Sequence, residues 1–182
     1  MVFGFFRQRK HNQVIVDRQY ATLTSMARHP SFYTDLDVPD TVMGRFEMLS
    51  AVLILFFRRT AKSQRSGQEL AQEIVDAFFQ DVDHSIRELG VGDQSVPKRM
   101  KKLAGMFYGR LESYAAALDT ADRDRLAEAL RRNIYPDAGE TAPAMAGLAD
   151  WMMKVDADLA ARPEDEVASG SLTMMPPGGA VT

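Results

Sequence analysis

Four ionisable side chains that could support acid–base or metal chemistry lie close together in the sequence, namely Asp76, Asp81, Asp83 and His84. A metal site on one helix needs two ligands three or four residues apart and further ligands from a facing helix, and the sequence has no second Glu-x-x-His element. We therefore favour a solvated helix face, with Asp83 and Arg87 as an i,i+4 ion pair, over an enzyme site. Metal analysis of the purified protein distinguishes the two interpretations.

A second group of residues suits binding rather than catalysis. Lys98, Arg99, Lys101 and Lys102 fall in the first turns of a predicted helix, where cations oppose the helix dipole at a cost of about 0.3–1 kcal/mol. Such a placement favours a docking surface for an acidic partner, lipid headgroups or RNA. The chain carries 22 Lys and Arg against 25 Asp and Glu, a net charge of −3, and no aromatic residues interrupt the cluster. A specific nucleic-acid partner is therefore not expected.

Small residues and methionines give two further hints of contact surfaces. Gly105, Gly109 and Ser113 recur every four residues, and each glycine inside a helix costs about 1 kcal/mol relative to alanine. Close approach of another helix would offset this cost, whether from this chain or from a partner. The chain also has 11 methionines. Four of them lie off the predicted apolar stripes and are candidates for an exposed, adaptable patch: Met106, Met153, Met174 and Met175.

Other kinds of chemistry find no support in the composition. There are no cysteines, which excludes thiol catalysis, cysteine-ligated zinc and iron–sulfur clusters. The three histidines, His11, His29 and His84, are scattered. No phosphate-binding glycine loop or nucleophile–base motif occurs. We expect no catalytic residues, no metal and no cofactor, and we interpret the chain as a binding protein.

Helical periodicity dominates the chain, and no strand signal appears. We predict an all-α fold, an irregular single-domain bundle of about six helices over residues 13–161. After Pro163 the sequence becomes acidic and then rich in Ser, Gly and Pro, which predicts a disordered tail over residues 162–182. The predicted helices are 13–28, a central helix from an N-cap at Asp40 to the connector at 62–67, 68–89, 95–118, 120–133, and 141 or 143 to 160.

The first residues, 1–12, are predicted to form a flexible arm. Aromatic residues precede basic ones there, the reverse of a secretory signal. The arm is either frayed or anchors the protein on an anionic membrane surface, and vesicle flotation with and without residues 1–10 separates the two. The residues that would make this contact are Phe3, Phe5, Phe6, Arg7, Arg9 and Lys10. The longest apolar run, 48–57, is about half the length that spans a bilayer.

Several blocks of the sequence resemble the ubiquinol–cytochrome c chaperone family, in order and over roughly residues 13–160. They are FYTDLDVPDTVMGRFEML at 32–49, AFFQDVDHSIRELGV at 77–91, SVPKRMKKL at 95–103 and FYGRL at 107–111. The resemblance implies a bacterial-type, non-enzymatic assembly chaperone for ubiquinol–cytochrome c reductase, respiratory complex III, that holds newly made cytochrome b or another assembly intermediate. It also implies a cytoplasmic location, peripheral at the inner face of the cell membrane, and a small partner protein.

The resemblance transfers a surface rather than a catalytic site. The matching positions are Arg45, Phe46, Asp81, Arg87, Phe107 and Tyr108, of which the phenylalanines and Tyr108 could equally be core. Asp81, Arg87 and the cluster Lys98, Arg99, Lys101 and Lys102 are the expected exposed contacts. The alternative function is a peripheral membrane or ribosome-associated helical module with a different client.

Overall fold

The computed structural model describes the backbone of residues 2–178 and the side chains of residues 12–178. The described chain contains helices and no strand, which confirms the all-α prediction. The helices are α1 Val2–Ala27, α2 Ser31–Thr34, α3 Val42–Thr60, α4 Arg65–Glu88, α5 Val96–Asp119, α6 Arg123–Ile134, α7 Ala146–Ala161 and α8 Glu164–Ala168. A short 3₁₀ turn, Gly139–Thr141, precedes α7.

Helix α3 lies at the centre of the bundle, as its apolar sequence predicts. Every side chain from Ala51 to Phe56 is buried, and the helix packs against α1, α4, α5, α6 and α7. A helix that is apolar on all sides cannot face water, so the other helices surround it. Because α4 and α5 both pack against α3, the central helix determines where they lie.

The start of α3 differs from the prediction by one residue. Thr41, not Asp40, is the N-cap, and its hydroxyl accepts from the Gly44 N–H at 3.0 Å. The Asp40 carboxylate instead accepts from Arg45 Nε at 2.8 Å. Gly44 is required here because a Cβ would lie 1.8 Å from the Pro39 carbonyl oxygen. The tight turn therefore moves the cap to Thr41.

Helix α1 begins at Val2, so the predicted helix start at residue 13 is wrong. No proline interrupts the sequence before Pro30, and adding residues to an existing helix costs little once it is nucleated. The docked half of α1 supplies that nucleus, since Val16, Leu23 and Ala27 are buried. The proposed membrane-contact side chains between residues 3 and 10 lie outside the described side chains.

The prediction of a disordered tail is wrong for residues 162–178. Val167 and Leu172 are fully buried. The buried Gln19 amide donates to the Leu172 carbonyl at 2.8 Å and accepts from its N–H at 3.0 Å, while Trp151 Nε1 donates to the Met175 carbonyl at 3.0 Å. These side chains satisfy the backbone of an irregular segment that composition alone marks as disordered. Residues 179–182 lie outside the described part.

Candidate docking groove

Four helices enclose a groove with a volume of about 670 Å³. It lies between the end of α1, the start of α3, the second half of α4 and the first half of α5. This volume falls within the range of pockets that hold ligands or side chains of a partner. The apolar residues that line it are Ala27, Val42, Met43, Phe46, Leu49, Phe78, Val82, Ile86, Leu89, Leu103, Met106 and Pro136.

The groove gathers apolar side chains that water reaches. Val42, Met43 and Leu89 are 64%, 44% and 62% exposed, whereas Phe78 and Ile86 below them are buried. In the described part of the chain only two other large apolar side chains are comparably exposed, Val14 and Tyr108, and neither lines the groove. This concentration of apolar exposure makes the groove the candidate interaction surface of the described residues.

Positively charged side chains stand around the apolar floor. Arg28 and Arg45 come from the α1 and α3 side, and Arg99 and Lys102 come from α5. Arg45 pairs with Asp40 at 2.8 Å. Among residues 12–178, no carboxylate lies within ion-pair distance of Arg28, Arg99 or Lys102. These three charges are available to an anionic partner.

One carboxylate, Asp81, also lines the groove. It accepts a hydrogen bond from the Tyr20 hydroxyl at 3.0 Å. Burial and the negative charge of Asp81 raise the pKa of Tyr20 above its ordinary value, so the phenol stays a proton donor at neutral pH. The hydrogen bond fixes the position of Asp81, the only acidic side chain that the described residues contribute to the lining.

A buried ion pair supports the groove from behind. Arg110 on α5 donates to both carboxylate oxygens of Glu47 on α3, through Nε and through Nη2 at 2.5 Å, and Nη1 donates to the Met106 carbonyl at 2.8 Å. Burial raises the pKa of Glu47, and the hydrogen bonds from Arg110 counteract that effect. Phe46 on α3 and Met106 on α5 line the groove next to this pair. The ion pair therefore fixes the distance between the α3 wall and the α5 wall of the groove.

Comparison with known proteins decides the family. The model of the family described as ubiquinol-cytochrome C chaperone matches residues 34–174, most of the chain. The chain belongs to the ubiquinol–cytochrome c chaperone family. It is 23% identical over 135 residues to ubiquinol-cytochrome-c reductase complex assembly factor 1 of Xenopus laevis, covering 72% of this chain and 67% of the relative. The family's members are chaperones and assembly factors for that respiratory complex.

A solved structure agrees with this assignment over nearly the whole length. The crystal structure of the Cbp3 homolog from Brucella abortus superposes with a TM-score of 0.88 at 45% identity, covering 98% of both chains. The resemblance to the ubiquinol–cytochrome c chaperone family that the sequence blocks indicate is therefore confirmed.

Five of the predicted contact residues of this chaperone lie together in the groove. They are Arg45, Phe46, Asp81, Arg99 and Lys102. Phe46 is half-buried, and its ring stacks on Phe78 with centroids 6.0 Å apart. The family blocks that carry these residues are far apart in sequence, and the packing of α3, α4 and α5 brings them to one surface.

The other predicted contact residues lie elsewhere. Phe107 is buried in the aromatic core, whereas Tyr108 is 52% exposed beside Phe79. Lys98 and Lys101 are exposed on α5 but do not line the groove. Arg87 is held by Asp83 and Asp93, each at 2.7 Å, so its charge is already paired.

The cluster around His84 behaves as a solvated helix face. The Asp83–Arg87 pair is present, His84 lies 3.2 Å from Glu88 with both side chains exposed, and Asp76 accepts from Gln72. Over the described residues, no three His, Asp or Glu side chains are arranged to hold a metal ion. Within the same residues, no helix has an apolar stretch long enough to cross a bilayer.

Two expectations about contact surfaces need correction. A Cβ at Gly105 or Gly109 would have no neighbour within 4 Å among the described residues, so the expectation that a helix of this chain packs on these glycines is wrong, and a partner helix stays the untested alternative. Met174 is buried, and Met153 and Met175 pack against the core. Of the methionines proposed for an exposed patch, Met106 alone lines the groove.

Sequence reasoning also missed residues of the groove. Arg28 ends the turn after α1, and Val42, Met43 and Leu89 lie at helix ends, where their apolar character resembles core. The excess of apolar residues on α3 could have indicated Val42 and Met43. When a helix is apolar on all sides and one of its ends reaches the surface, some apolar side chains at that end are exposed.

Proposed function

We propose that this protein is a non-catalytic assembly chaperone that holds newly made cytochrome b, an unfinished subunit of ubiquinol–cytochrome c reductase, through the groove. The observation that carries the proposal is an exposed apolar groove with unpaired cations in a chain that belongs to a family of assembly factors. Cytochrome b is a membrane protein with many apolar segments, and an unassembled apolar segment needs a matching surface to prevent aggregation.

The character of the groove supports a binding role for varied apolar contacts. Met43 and Met106 contribute flexible, polarisable side chains, which adapt to different shapes. The proposal includes a cytoplasmic location at the inner face of the cell membrane, where the first residues of α1 could contact lipid, and a small partner protein. Proximity to the membrane would bring the groove to the client during its insertion.

Affinity capture from membranes tests the proposal. The tagged protein should retain cytochrome b from cells that carry the reductase operon, and recover none from cells without it. Val42→Asp places a charge on the apolar rim at the first residue of α3, where an acidic side chain is compatible with the helix. We expect it to reduce capture by about tenfold, the effect of losing roughly 1.4 kcal/mol of apolar contact.

Val14→Asp is the matched control, since Val14 is also exposed and lies outside the groove. It should capture cytochrome b like the unmodified protein. The proposal fails if the unmodified protein recovers no cytochrome b. Recovery of ribosomes in its place would instead favour the alternative of a ribosome-associated module.

A further inference from the structure

We propose that the groove recognises an amphipathic helical segment of the protein that it holds, cytochrome b in the proposed function, and that the apolar stripe of this segment is flanked by acidic side chains. This inference rests on the proposed function, because it specifies the chemistry of the segment that the same groove would bind. The groove contributes an apolar floor and a surrounding set of unpaired cations, and both features are needed for the argument.

The shape of the floor suits a helix. On α4, Phe78, Val82, Ile86 and Leu89 line the groove in succession, which spans about 16 Å at 1.5 Å per residue. This length corresponds to about three helical turns of an occupant. A bound helix of that length presents apolar anchors at positions i, i+3 or i+4, and i+7 along one stripe.

The distribution of charge selects acidic flanks. Arg99 and Lys102 lie one turn apart on α5, and Arg28 contributes a further unpaired cation from the end of α1. Acidic side chains beside an apolar stripe would reach cations contributed by two different walls.

Asp81 defines one position at which a basic residue on the partner helix would be favoured. Its carboxylate is fixed by Tyr20 and has no cation within ion-pair distance in the described part of the chain. A single basic residue on the partner helix, facing α4, would pair with it. A helix that places this basic residue beside Asp81 and its acidic flanks beside the cations satisfies all of these charges.

A lipid headgroup fits this arrangement less well than a helix. A phosphate concentrates its charge at one point, whereas the unpaired cations come from two parts of the fold, Arg28 from the turn after α1 and Arg99 with Lys102 from α5. Carboxylates on the two flanks of one helix can reach both parts. Binding of an anionic lipid is therefore treated as a competing outcome of the experiment.

Fluorescence anisotropy with synthetic peptides tests the inference on the full chain. The probe is a labelled helix of about 18 residues with leucines on one stripe and glutamates on both flanks, and the comparison peptide has lysines in place of the glutamates. The unmodified protein should bind the glutamate peptide at least tenfold more tightly. The double variant Arg99→Glu/Lys102→Glu should reverse this preference.

The matched control is Lys98→Glu/Lys101→Glu, which makes the same change in net charge on the same helix outside the groove. It should keep the preference for the glutamate peptide within about twofold, because neither side chain lines the groove and exposed charges interact weakly through water. An equal loss in both double variants would show a general field effect and overturn the inference.

Two other outcomes would also overturn it. One is equal binding of the two peptides by the unmodified protein, and the other is loss of the glutamate peptide to competing phosphatidylglycerol vesicles but not to phosphatidylcholine vesicles. Capture of cytochrome b is scored separately. If the peptide does not bind and cytochrome b is still captured, this inference fails alone; if the peptide binds and no cytochrome b is captured, the proposed function fails.

Discussion

At the scale of single residues, the Glu47–Arg110 pair holds the groove walls at a fixed distance. Both side chains are almost fully buried, and the guanidinium uses both sides of its planar fork, on the carboxylate and on the Met106 carbonyl. A buried pair of this kind is costly to desolvate, but removing one partner leaves the other charge buried without compensation.

Glu47→Ala should therefore lower the free energy of unfolding by about 3–5 kcal/mol, measured by urea denaturation. The double variant Glu47→Met/Arg110→Met should be more stable than Glu47→Ala, because it removes both charges and fills the space. Asp40→Ala, which breaks an exposed pair, is the control and should change stability little. A loss no larger for Glu47→Ala than for this control would contradict the structural role assigned to the pair.

Individual residues of the groove were predictable from the sequence where they belonged to a charge cluster or to a block shared with the family. Arg99 and Lys102 stand at a helix start, where cations are unfavourable, and Arg45, Phe46 and Asp81 lie in blocks shared with the family. Phe107 and Arg28 show the limit of such reasoning. The same helical pattern places an aromatic residue in the core or on a surface, and no local signal places Arg28 beside α5.

At the scale of elements, Gly105 and Gly109 on α5 are exposed, and a Cβ at either would meet no atom of the described residues within 4 Å. Gly109→Ala should stabilise the protein by about 1 kcal/mol, because alanine restricts the unfolded chain and no atom obstructs its methyl group. The melting temperature should rise by about 2–4 °C, measured by circular dichroism.

The contrasting substitution is Gly170→Ala. Gly170 has a φ of +64°, and a Cβ there would lie 2.7 Å from the Ile15 carbonyl oxygen, so this variant should be destabilised. If Gly109→Ala lowered the melting temperature as well, the assignment of the stripe to open solvent would be wrong.

Helix positions were largely predictable, and the chain termini were not. Periodicity locates α3 to α7 within a few residues, because each buries one face. The segment after α7 has no periodicity, and its order depends on long-range contacts, among them the Gln19 side chain, more than a hundred residues earlier, which pairs with the Leu172 backbone. Such long-range pairing leaves no local pattern in the sequence.

At the scale of the whole molecule, the groove results from packing. No single helix contains it, since its lining comes from α1, α3, α4, α5 and Pro136 after α6. Sequence alone identified several of its residues and the family, but not the cavity, because the distance between walls depends on how the surrounding helices meet the central α3.

The central claim is that this groove serves assembly of the respiratory complex. The most direct measurement is the amount of assembled ubiquinol–cytochrome c reductase in membranes of a deletion strain that carries the unmodified gene, Val42→Asp or Val14→Asp. We predict normal amounts with the unmodified gene and with Val14→Asp, and a reduction with Val42→Asp at equal chaperone abundance. Normal amounts of the complex in the deletion strain without any added gene would contradict the claim.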